Sequence, residues 1–328
     1  MAAVVRIGLL GASRIAPPAV IDAAHRVERV EVVAVAARDR HRAEAFAADH
    51  GVAEVFDSYE VLVGSDRIDA VYVGLPPSGH EPWTVAALEA GKHVLCEKPF
   101  ACTTAQALHM VEVAERTGLV LCEAFHWRYH PLAARLAEVL TGDLIGPARH
   151  IEAAFSVPIT DLSDLRHDPR LGGGAMMDLG CYAVQWARFA ARGEPEVERV
   201  EVVEGEPGID LSMEAILRFA DGAEARVVTS MAPDTRFEAR LEVSGVDGTV
   251  LVDNPLAPHL GHRLVIDTSE GQTSETVEGE ATYVHQLRAF VAAVLDGEVL
   301  PTGGVDAVAT MRIIEDCYAQ AGLPVRGH

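Results

Sequence analysis

A lysine stands where a strand-like segment ends, in the stretch HVLCEKPFACT at residues 93–103. Glu97, Lys98 and Pro99 come directly after the apolar part of this segment. If the segment is a parallel strand, Lys98 lies at its carboxyl end, where open α/β sheets bind their ligands. Glu97 would orient the ammonium group, which could then take part in proton transfer. The alternative is an ordinary solvated lysine, because most lysines are exposed.

A second candidate group lies in the stretch LGGGAMMDLGCYAVQWARF at residues 171–189. Three glycines would let the backbone pass close to a ligand, and the residues after them predict a helix. Asp178 and Tyr182 are four residues apart, so they share one face of that helix. Asp178 also falls in the first turn, where the helix dipole favours a negative charge. The alternative is a helix whose aromatic residues pack into a core.

A glycine turn follows the first predicted strand, in the stretch IGLLGASRIA. Its best register, Gly11 to Ala16, keeps the first glycine of a dinucleotide-binding turn and a small last residue, while Ser13 replaces the middle glycine. Backbone N–H groups of such a turn bind a pyrophosphate. A tight turn without a ligand is the alternative. The residues predicted to contact the cofactor here are Gly11, Ala12, Ser13, Arg14 and Ile15.

The end of the second predicted strand bears on the choice of cofactor. An NAD site usually has a carboxylate there for the ribose hydroxyls, whereas this strand ends with Arg38 followed by Asp39. A guanidinium at Arg38 can pair with a 2′-phosphate through two hydrogen bonds. The sequence therefore predicts NADP, and Asp39 keeps NAD possible.

The stretch CEAFHWRYHP at residues 122–131 contains histidine and glutamate, residue types that commonly bind metal ions. His126 and His130 are four residues apart and Glu123 precedes them by three, so a metal site on one helix face is conceivable. No third histidine follows at ligand spacing, and Pro131 suggests that a helix begins there. We therefore predict no metal.

The remaining elements form two patterns. Up to about residue 125, apolar strand-like runs alternate with amphipathic stretches, which predicts a doubly wound parallel sheet. After about residue 146, strand-like runs follow one another with turn signals between them, which predicts an antiparallel sheet. The predicted strands are 4–10, 30–37, 70–75, 93–97, 119–125, 148–157, 197–204, 211–219, 224–231, 237–244, 249–253 and 263–267. The predicted helices are 40–50, 79–91, 103–117, 178–192, 282–295 and 304–321.

Composition excludes several classes of function. The chain has 328 residues, is 49% hydrophobic and has a net charge of −22, so nucleic acid and anionic membrane surfaces are not expected partners. No uncharged run approaches the ~20 residues of a membrane span. Five cysteines without a C-x-x-C pair, and the lack of a signal-peptide pattern, predict a reducing, cytoplasmic setting.

These motifs together resemble the Gfo/Idh/MocA family of oxidoreductases. The resemblance covers essentially the whole chain, in order, from the Gly11 turn through Glu97-Lys98-Pro99 to the glycine run before Asp178. It implies an N-terminal Rossmann domain, 1–125, for NAD(P). It also implies a C-terminal α+β domain, 126–328, whose large, mostly antiparallel open sheet forms a homodimer or homotetramer interface.

The resemblance also implies roles for individual residues. The catalytic lysine would be Lys98, and Asp178 would contact the substrate. Many members have a histidine where this chain has Tyr182, a variant similar to the branch with glucose–fructose oxidoreductase, dihydrodiol dehydrogenase and NADP-dependent D-xylose dehydrogenase. Further cofactor contacts are expected from Leu75, Pro76, His80, Glu97 and Lys98. Further substrate contacts are expected from Lys98, Glu123, Arg128 and His130.

The predicted reaction is hydride transfer between a nicotinamide and a hydroxyl or carbonyl of a small sugar or polyol. An ordinary tyrosine has a pKa of ~10, so Tyr182 would need the nearby Lys98 ammonium to act as the acid or base. One alternative is a nucleotide-sugar ketoreductase. The acidic second domain offers few basic residues for a diphosphate, with LRHDPR at 165–170 the main exception. A non-catalytic, cofactor-binding regulatory protein is a third possibility, which Lys98, Asp178 and Tyr182 together disfavour.

Overall fold

The first sheet has six strands, and every pairing within it is parallel. The computed structural model describes residues 3–327. The strand order is β3-β2-β1-β4-β5-β6, as in a doubly wound fold. The strands are β1 Val5–Leu10, β2 Val30–Ala36, β3 Glu54–Phe56, β4 Ala70–Val73, β5 His93–Cys96 and β6 Leu121–Glu123. β4 and most of β1 and β5 are buried, as expected for strands covered on both faces.

The second sheet has eight strands in the order β14-β13-β12-β11-β7-β10-β9-β8. Its pairings are antiparallel except for the parallel pair of β7 with β10. Along β10 and β11 buried and more exposed residues alternate, so one face of the sheet carries the core. The strands are β7 Ala148–Ser156, β8 Pro195–Glu204, β9 Asp210–Phe219, β10 Glu224–Ser230, β11 Glu238–Gly245, β12 Gly248–Asp253, β13 Arg263–Thr268 and β14 Gly271–Glu275.

The helix boundaries follow local capping chemistry. Asp39 caps the second helix through its side chain, and Thr103 caps the fifth, which ends at Gly118 with φ +68°. The helices within residues 3–327 are α1 Asp22–Ala24, α2 Arg40–His50, α3 Tyr59–Val63, α4 His80–Glu89, α5 Thr104–Thr117, α6 Pro131–Thr141, α7 Cys181–Ala191, α8 Thr282–Asp296 and α9 Val305–Ala321. Wider π-helical turns, Pro17–Ile21 and Met176–Gly180, lead directly into α1 and α7.

The chain folds into two compact units. The first combines the chain up to Arg128 with Ala281–Val308, and the second combines Tyr129–Glu280 with the chain from Ala309 onward. α8 belongs to the first unit because it packs on β1, α1 and the turn before α1. The sequence division into 1–125 and 126–328 does not include this return of the chain, and as a statement of domain bounds it stays a prediction.

The predicted fold class is confirmed: a parallel Rossmann-type sheet is followed by a large, mostly antiparallel sheet. Sequence patterns missed two short edge strands. β3 has three residues that are all partly exposed, and β14, GQTSE, has no apolar residue and pairs only with β13. Neither strand has a buried apolar run, so hydrophobic periodicity could not indicate it.

Candidate active site

The turn after β1 packs tightly against the end of β4. Gly11 has φ +96°, and a Cβ there would lie 3.0 Å from the Gly74 carbonyl oxygen. Its N–H donates to the Ala36 carbonyl at 2.9 Å. Gly74 is equally constrained, because a Cβ there would lie 2.8 Å from Ser13 Oγ. Both positions therefore require glycine for the turn to approach this edge of the sheet.

The donors of this turn suit a phosphate group. Ser13 Oγ is buried and has no hydrogen-bond partner among the described residues, which is an arrangement that needs a ligand or water to satisfy it. The neighbouring Ala12 carbonyl accepts from Arg42 Nη2 at 2.9 Å. Arg14 is exposed and Ile15 is half-buried beside them. The predicted cofactor residues of this turn thus fit a dinucleotide.

At the end of β2, Arg38 and Asp39 have different contacts, and the choice between NADP and NAD depends on these two side chains. Arg38 is exposed, and no carboxylate pairs with it within residues 3–327. Asp39 caps α2: its Oδ1 accepts from His41 N–H at 2.9 Å and from Arg42 N–H at 3.3 Å. The next guanidinium, on Arg40, pairs with Glu44 and Asp57. Arg38 therefore offers a guanidinium for a phosphate, whereas Asp39 caps α2 through Oδ1.

The Lys98 turn is anchored by a buried carboxylate. Glu97 follows β5, and its Oε1 accepts from the Tyr72 hydroxyl at 2.8 Å while Oε2 accepts from Lys98 N–H at 3.2 Å. Burial, and then the Glu97 charge, raise the pKa of Tyr72 well above its usual value, so Tyr72 remains a neutral donor. Burial and the same carboxylate also raise the pKa of Tyr283 on α8. Two phenols therefore lie in the field of Glu97.

His80 connects two cofactor-side loops. Its Nδ1 lies 2.9 Å from the Pro99 carbonyl and its Nε2 lies 2.8 Å from the Leu75 carbonyl. The ring is fully buried, and this burial lowers the pKa of His80 below 6.5. His80 thus holds the turn of Lys98 against the loop of Leu75 and Pro76. A direct contact of His80, Leu75, Pro76 or Glu97 with the cofactor stays a prediction.

The metal-type residues of 122–131 have other partners. His126 Nδ1 lies 2.7 Å from Thr282 Oγ1, and its ring packs on Tyr283 with centroids 4.1 Å apart. His130 Nδ1 accepts from Leu132 N–H at 3.1 Å and so caps α6. Within the described part of the chain, no cluster of three or more His, Cys, Asp or Glu side chains suits a metal ion.

The three residues of this stretch predicted to bind substrate differ in exposure. Glu123 is fully buried, and its backbone N–H donates to the Thr302 carbonyl at 2.7 Å. Arg128 is half-buried, with its guanidinium carbon 5.5 Å from the Trp127 ring. Glu123 and Arg128 belong to the first unit, whereas His130 belongs to the second. Their contact with a substrate stays a prediction.

Asp178 lies in the π-helical turn that begins the predicted helix. Its Oδ2 accepts from Arg166 Nε at 2.6 Å, and Arg166 Nη1 donates to Asp164 Oδ1 at 3.0 Å. These two carboxylates raise the pKa of Arg166, with Asp178 as the largest cause. The sequence indicates Arg166 only as part of the basic stretch LRHDPR at 165–170, because nothing in the spacing links it to Asp178.

The glycine run brings this helix onto a buried ionic cluster. A Cβ at Gly174, where φ is +124°, would collide with Asp210 Oδ1. Asp210 Oδ2 instead accepts from Met176 N–H at 2.7 Å, and Asp210 Oδ1 accepts from Tyr318 at 2.9 Å and from Arg326 Nη2 at 2.7 Å. Asp210 and Arg326 are both buried. The start of the Asp178 helix is therefore held by residues distant in sequence, for which no local signal exists.

Tyr182 stands at the start of α7 within an aromatic cluster. Its ring centroid lies 5.5 Å from that of Phe155 and 6.1 Å from that of Trp186. The residue is buried, with 4% of its surface exposed. The Tyr182 and Trp186 rings thus pack into the core, and the catalytic role of the Tyr182 phenol oxygen stays a prediction.

Comparison with known proteins assigns the family. Residues 5–125 match the oxidoreductase family model with an NAD-binding Rossmann fold, and residues 133–251 match the GFO/IDH/MocA C-terminal domain. The chain belongs to the GFO/IDH/MocA family. The predicted resemblance is confirmed, and the protein is an oxidoreductase.

Several members of the GFO/IDH/MocA family with similar sequences are named as enzymes that act on sugars. The chain is 35% identical over 319 residues to D-xylose 1-dehydrogenase (NADP(+)) 2 of Haloferax volcanii, covering 96% of both chains. It is 33% identical to a dTDP-3,4-didehydro-2,6-dideoxy-α-D-glucose 3-reductase of Streptomyces antibioticus, covering 96% and 97%. A 3-ketoreductase of Actinomadura kijaniata, solved with NADP and TDP-benzene, matches with a TM-score of 0.89, 27% identity and coverage of 97% and 98%.

Family membership leaves the roles of individual residues as predictions. Lys98 belongs to the first compact unit, whereas Asp178 and Tyr182 belong to the second. The convergence of the Lys98 ammonium and the Tyr182 phenol on one substrate oxygen therefore stays a prediction.

No helix among residues 3–327 is both long and apolar enough to cross a membrane.

Proposed function

We propose that this oxidoreductase uses NADP to interconvert a hydroxyl and a carbonyl group of a free sugar or polyol. The observation that carries the proposal is the short segment Met176–Ala191, which places a carboxylate and a phenol one helical turn apart in a GFO/IDH/MocA oxidoreductase. Full-length similarity to an enzyme named as an NADP-dependent xylose dehydrogenase supports the same substrate class.

The proposed chemistry divides the work between three side chains. A bound NADP would supply the nicotinamide for hydride exchange with the substrate carbon. During oxidation Tyr182 removes the proton of the reacting hydroxyl, and during reduction it returns that proton to the carbonyl oxygen. Lys98 favours the phenolate through its positive charge, and Asp178 accepts a hydrogen bond from a second hydroxyl of the substrate.

The choice of NADP rests on the residues after β2. Arg38 presents a guanidinium without a carboxylate partner among the described residues. A guanidinium of this kind suits the 2′-phosphate that distinguishes NADP from NAD. Asp39, the side chain that kept NAD possible, is used by two backbone N–H groups of α2. Ser13 Oγ adds an unsatisfied donor for the phosphates.

The direct test is a matrix of cofactors and substrates. NADP⁺ and NAD⁺ reduction would be measured with D-xylose, other aldoses, inositol and a trans-dihydrodiol. We expect turnover with at least one free sugar or polyol, and a kcat/KM at least tenfold higher with NADP⁺ than with NAD⁺. Binding of NADPH without turnover of any substrate in the matrix would instead favour the regulatory alternative.

A nucleotide-sugar ketoreductase is the second candidate, since four of the similar proteins are named dTDP-3,4-didehydro-2,6-dideoxy-α-D-glucose 3-reductase. The basic residues best placed in sequence to hold a diphosphate, Arg166 and Arg170, already pair with Asp178, Asp164 and Asp168. We therefore expect D-xylose to be turned over with a higher kcat/KM than a dTDP-linked sugar in the same assay. The reverse order would favour the ketoreductase.

We also propose that two or four copies associate through the more exposed face of the eight-stranded sheet. This face combines half-buried apolar residues, Ile216 and Val228, with ion pairs such as Arg226–Glu214. An apolar surface edged by polar groups is typical of protein interfaces. Light scattering should give a dimer or tetramer for the wild type and a smaller species for Val228→Glu. A wild-type monomer would exclude this interface.

We further propose a cytoplasmic location. All five cysteines are buried free thiols, as expected for a protein that folds in a reducing compartment. Cell fractionation with an antibody should recover the protein with cytoplasmic markers. Recovery from an oxidising compartment would contradict this location.

A further inference from the structure

Arg166 is fixed beside Asp178, the carboxylate that is predicted to bind the substrate. Its Nε donates to Asp178 at 2.6 Å and its Nη1 donates to Asp164 at 3.0 Å, so one guanidinium spans two carboxylates. The Asp178 and Asp164 side chains retain only 17% and 12% of their exposure. Charge-assisted hydrogen bonds at this degree of burial are stronger than those between neutral groups.

The backbone of Arg166 is held as firmly as its side chain. Its N–H donates to Asp164 Oδ1 at 3.1 Å, and its carbonyl accepts from Gly174 N–H at 2.9 Å. A Cβ at Gly173 would lie 2.5 Å from that same carbonyl oxygen. The glycine run before the Asp178 helix therefore also fits around Arg166. A guanidinium held at both ends in this way is preorganised for binding.

One edge of this guanidinium is open. Within residues 3–327, Nη2 of Arg166 makes no hydrogen bond, although Nε and Nη1 do. The side chain keeps 34% of its exposure, so a ligand can reach it. Nη2 carries two N–H donors, and an oxygen that accepts from them would lie in reach of the neighbouring Asp178.

The charges around Arg166 favour a neutral ligand oxygen over a negatively charged one as the acceptor for Nη2. Two carboxylates flank the one guanidinium, and the other guanidinium of the loop, on Arg170, pairs with Asp168 at 2.8 Å. The Asp178 and Asp164 carboxylates would repel the negative charge of a phosphate or a sugar acid placed at Nη2. A neutral hydroxyl can both accept from Nη2 and donate to Asp178, because a hydroxyl is donor and acceptor at once.

We propose that Arg166 is a substrate-binding and specificity-determining residue. Its Nη2 donates to a hydroxyl of an uncharged sugar or polyol, and Asp178 accepts from the same or the adjacent hydroxyl. The two flanking carboxylates make phosphorylated and nucleotide-linked sugars poor substrates. This inference rests on the proposed sugar oxidoreductase function and deepens it by naming the contact that reads the sugar.

The test measures sugar binding separately from turnover. Calorimetry with the enzyme saturated with NADPH, which cannot accept a hydride from the sugar, would titrate D-xylose and its 2-, 3- and 4-deoxy analogues into wild type, Arg166→Met and Arg166→Lys. Arg170→Met is the matched control, because it removes an exposed arginine of the same loop that pairs with an aspartate. Loss of a hydrogen bond to a charged group should raise the Kd for D-xylose about 10- to 100-fold in Arg166→Met. Arg170→Met should stay within twofold of wild type.

The deoxy analogues show whether Arg166 contacts a sugar hydroxyl directly or only holds Asp178 in place. Wild type should bind one analogue at least tenfold more weakly than D-xylose, and this penalty should disappear in Arg166→Met. A penalty that persists in Arg166→Met, or in Arg166→Lys if the methionine variant does not fold, would show that Arg166 only supports Asp178. A dTDP-linked sugar bound more tightly than D-xylose would overturn the proposed charge selection.

Failure of the proposed function would have a different signature. Sugar binding that depends on Arg166 without any turnover would contradict the hydride-transfer proposal alone. Turnover of D-xylose with an unchanged Kd in Arg166→Met would contradict the Arg166 proposal alone. No binding of any sugar by the wild type would contradict both.

Discussion

The Lys98 turn and the Asp178 helix are held in place by different kinds of interaction. Near Lys98, the His80 ring lies against the Pro99 and Leu75 carbonyls, and the Glu97 carboxylate accepts from the Tyr72 hydroxyl and from the Lys98 N–H. Around Asp178, guanidinium–carboxylate pairs dominate, formed by Arg166 and by Arg326. These contacts near Lys98 thus join side chains mostly to main-chain groups, whereas those near Asp178 join side chains of a loop and of the carboxyl-terminal tail to other side chains.

This difference suggests a division between constant and variable chemistry. A bond between a side chain and a main-chain group needs one particular side chain only, so it suits a lysine turn needed for every substrate. An ion pair needs two matched side chains, which can change together, so it suits a surface that reads a particular sugar. Breaking each kind of interaction separately tests the division.

The largest effect is expected at the phenol of the second unit. Tyr182→Phe should lower kcat about 10²- to 10⁴-fold, the usual contribution of a positioned acid–base group. Ring packing on Phe155 and Trp186 should be retained, so the melting temperature and the Kd for NADPH should hardly change. Steady-state kinetics and thermal melts would check both parts. A kcat within threefold of wild type would remove Tyr182 from the chemistry.

The next effect concerns the ionic support beneath the Asp178 helix. Arg326→Met leaves the Asp210 carboxylate buried without its guanidinium, which should lower the free energy of unfolding by about 3–5 kcal/mol. The double variant Arg326→Met/Asp210→Asn should recover part of this loss. Urea unfolding would measure both, with Arg312→Met on the exposed face of α9 as the control. A loss no larger than that of the control would contradict the supporting role.

On the cofactor side, the side chain most open to exchange is Arg38. Arg38→Ala should raise the KM for NADP⁺ about 10- to 100-fold through loss of charge-assisted hydrogen bonds, and should leave the KM for NAD⁺ unchanged. Arg40→Ala is the matched control, because its guanidinium is already paired with Glu44 and Asp57. Equal effects on both cofactors would contradict recognition of a 2′-phosphate.

The smallest effect is a pH dependence of the main-chain support. Burial lowers the pKa of His80 below 6.5, so the unfolded chain takes up this proton first as the pH falls. The stabilisation is present above pH 6.5 and is lost below it, by at most about 1.4 kcal/mol per pH unit. His80→Gln should flatten the fall in unfolding free energy between pH 6.5 and 5.5, whereas His41→Gln on the surface should not. Parallel curves for wild type and His80→Gln would contradict this.

Much of the fold could be predicted because local patterns decide it. Apolar runs such as Ala70–Val73 indicate buried parallel strands, and the alternation along β10 indicates a sheet with one covered face. The same reasoning fails for β14, which is polar throughout and exists only because β13 offers an edge. The return of α8 to the first unit is likewise a tertiary event without a local signal.

The candidate site divides in the same way. Lys98, Asp178 and Tyr182 stand out because their motifs are local. Asp210 and Arg326 are 116 residues apart, so no spacing rule connects them. Arg166 precedes Asp178 by 12 residues, yet a glycine loop separates them and the contact depends on its path. Sequence motifs therefore indicate the residues proposed for the chemistry, and the structure adds those that support and orient them.

The central claim is that Lys98 takes part in hydride transfer between NADP and a sugar. The most direct measurement is the single-turnover rate of NADP⁺ reduction by saturating D-xylose in wild type, Lys98→Met and Lys92→Met. Lys92 is the matched control, because its ammonium group bonds to the Ser65 and Ile68 carbonyls of the first unit. We expect a rate about 10²- to 10⁴-fold lower for Lys98→Met and nearly unchanged for Lys92→Met. A Lys98→Met rate within threefold of wild type would contradict it.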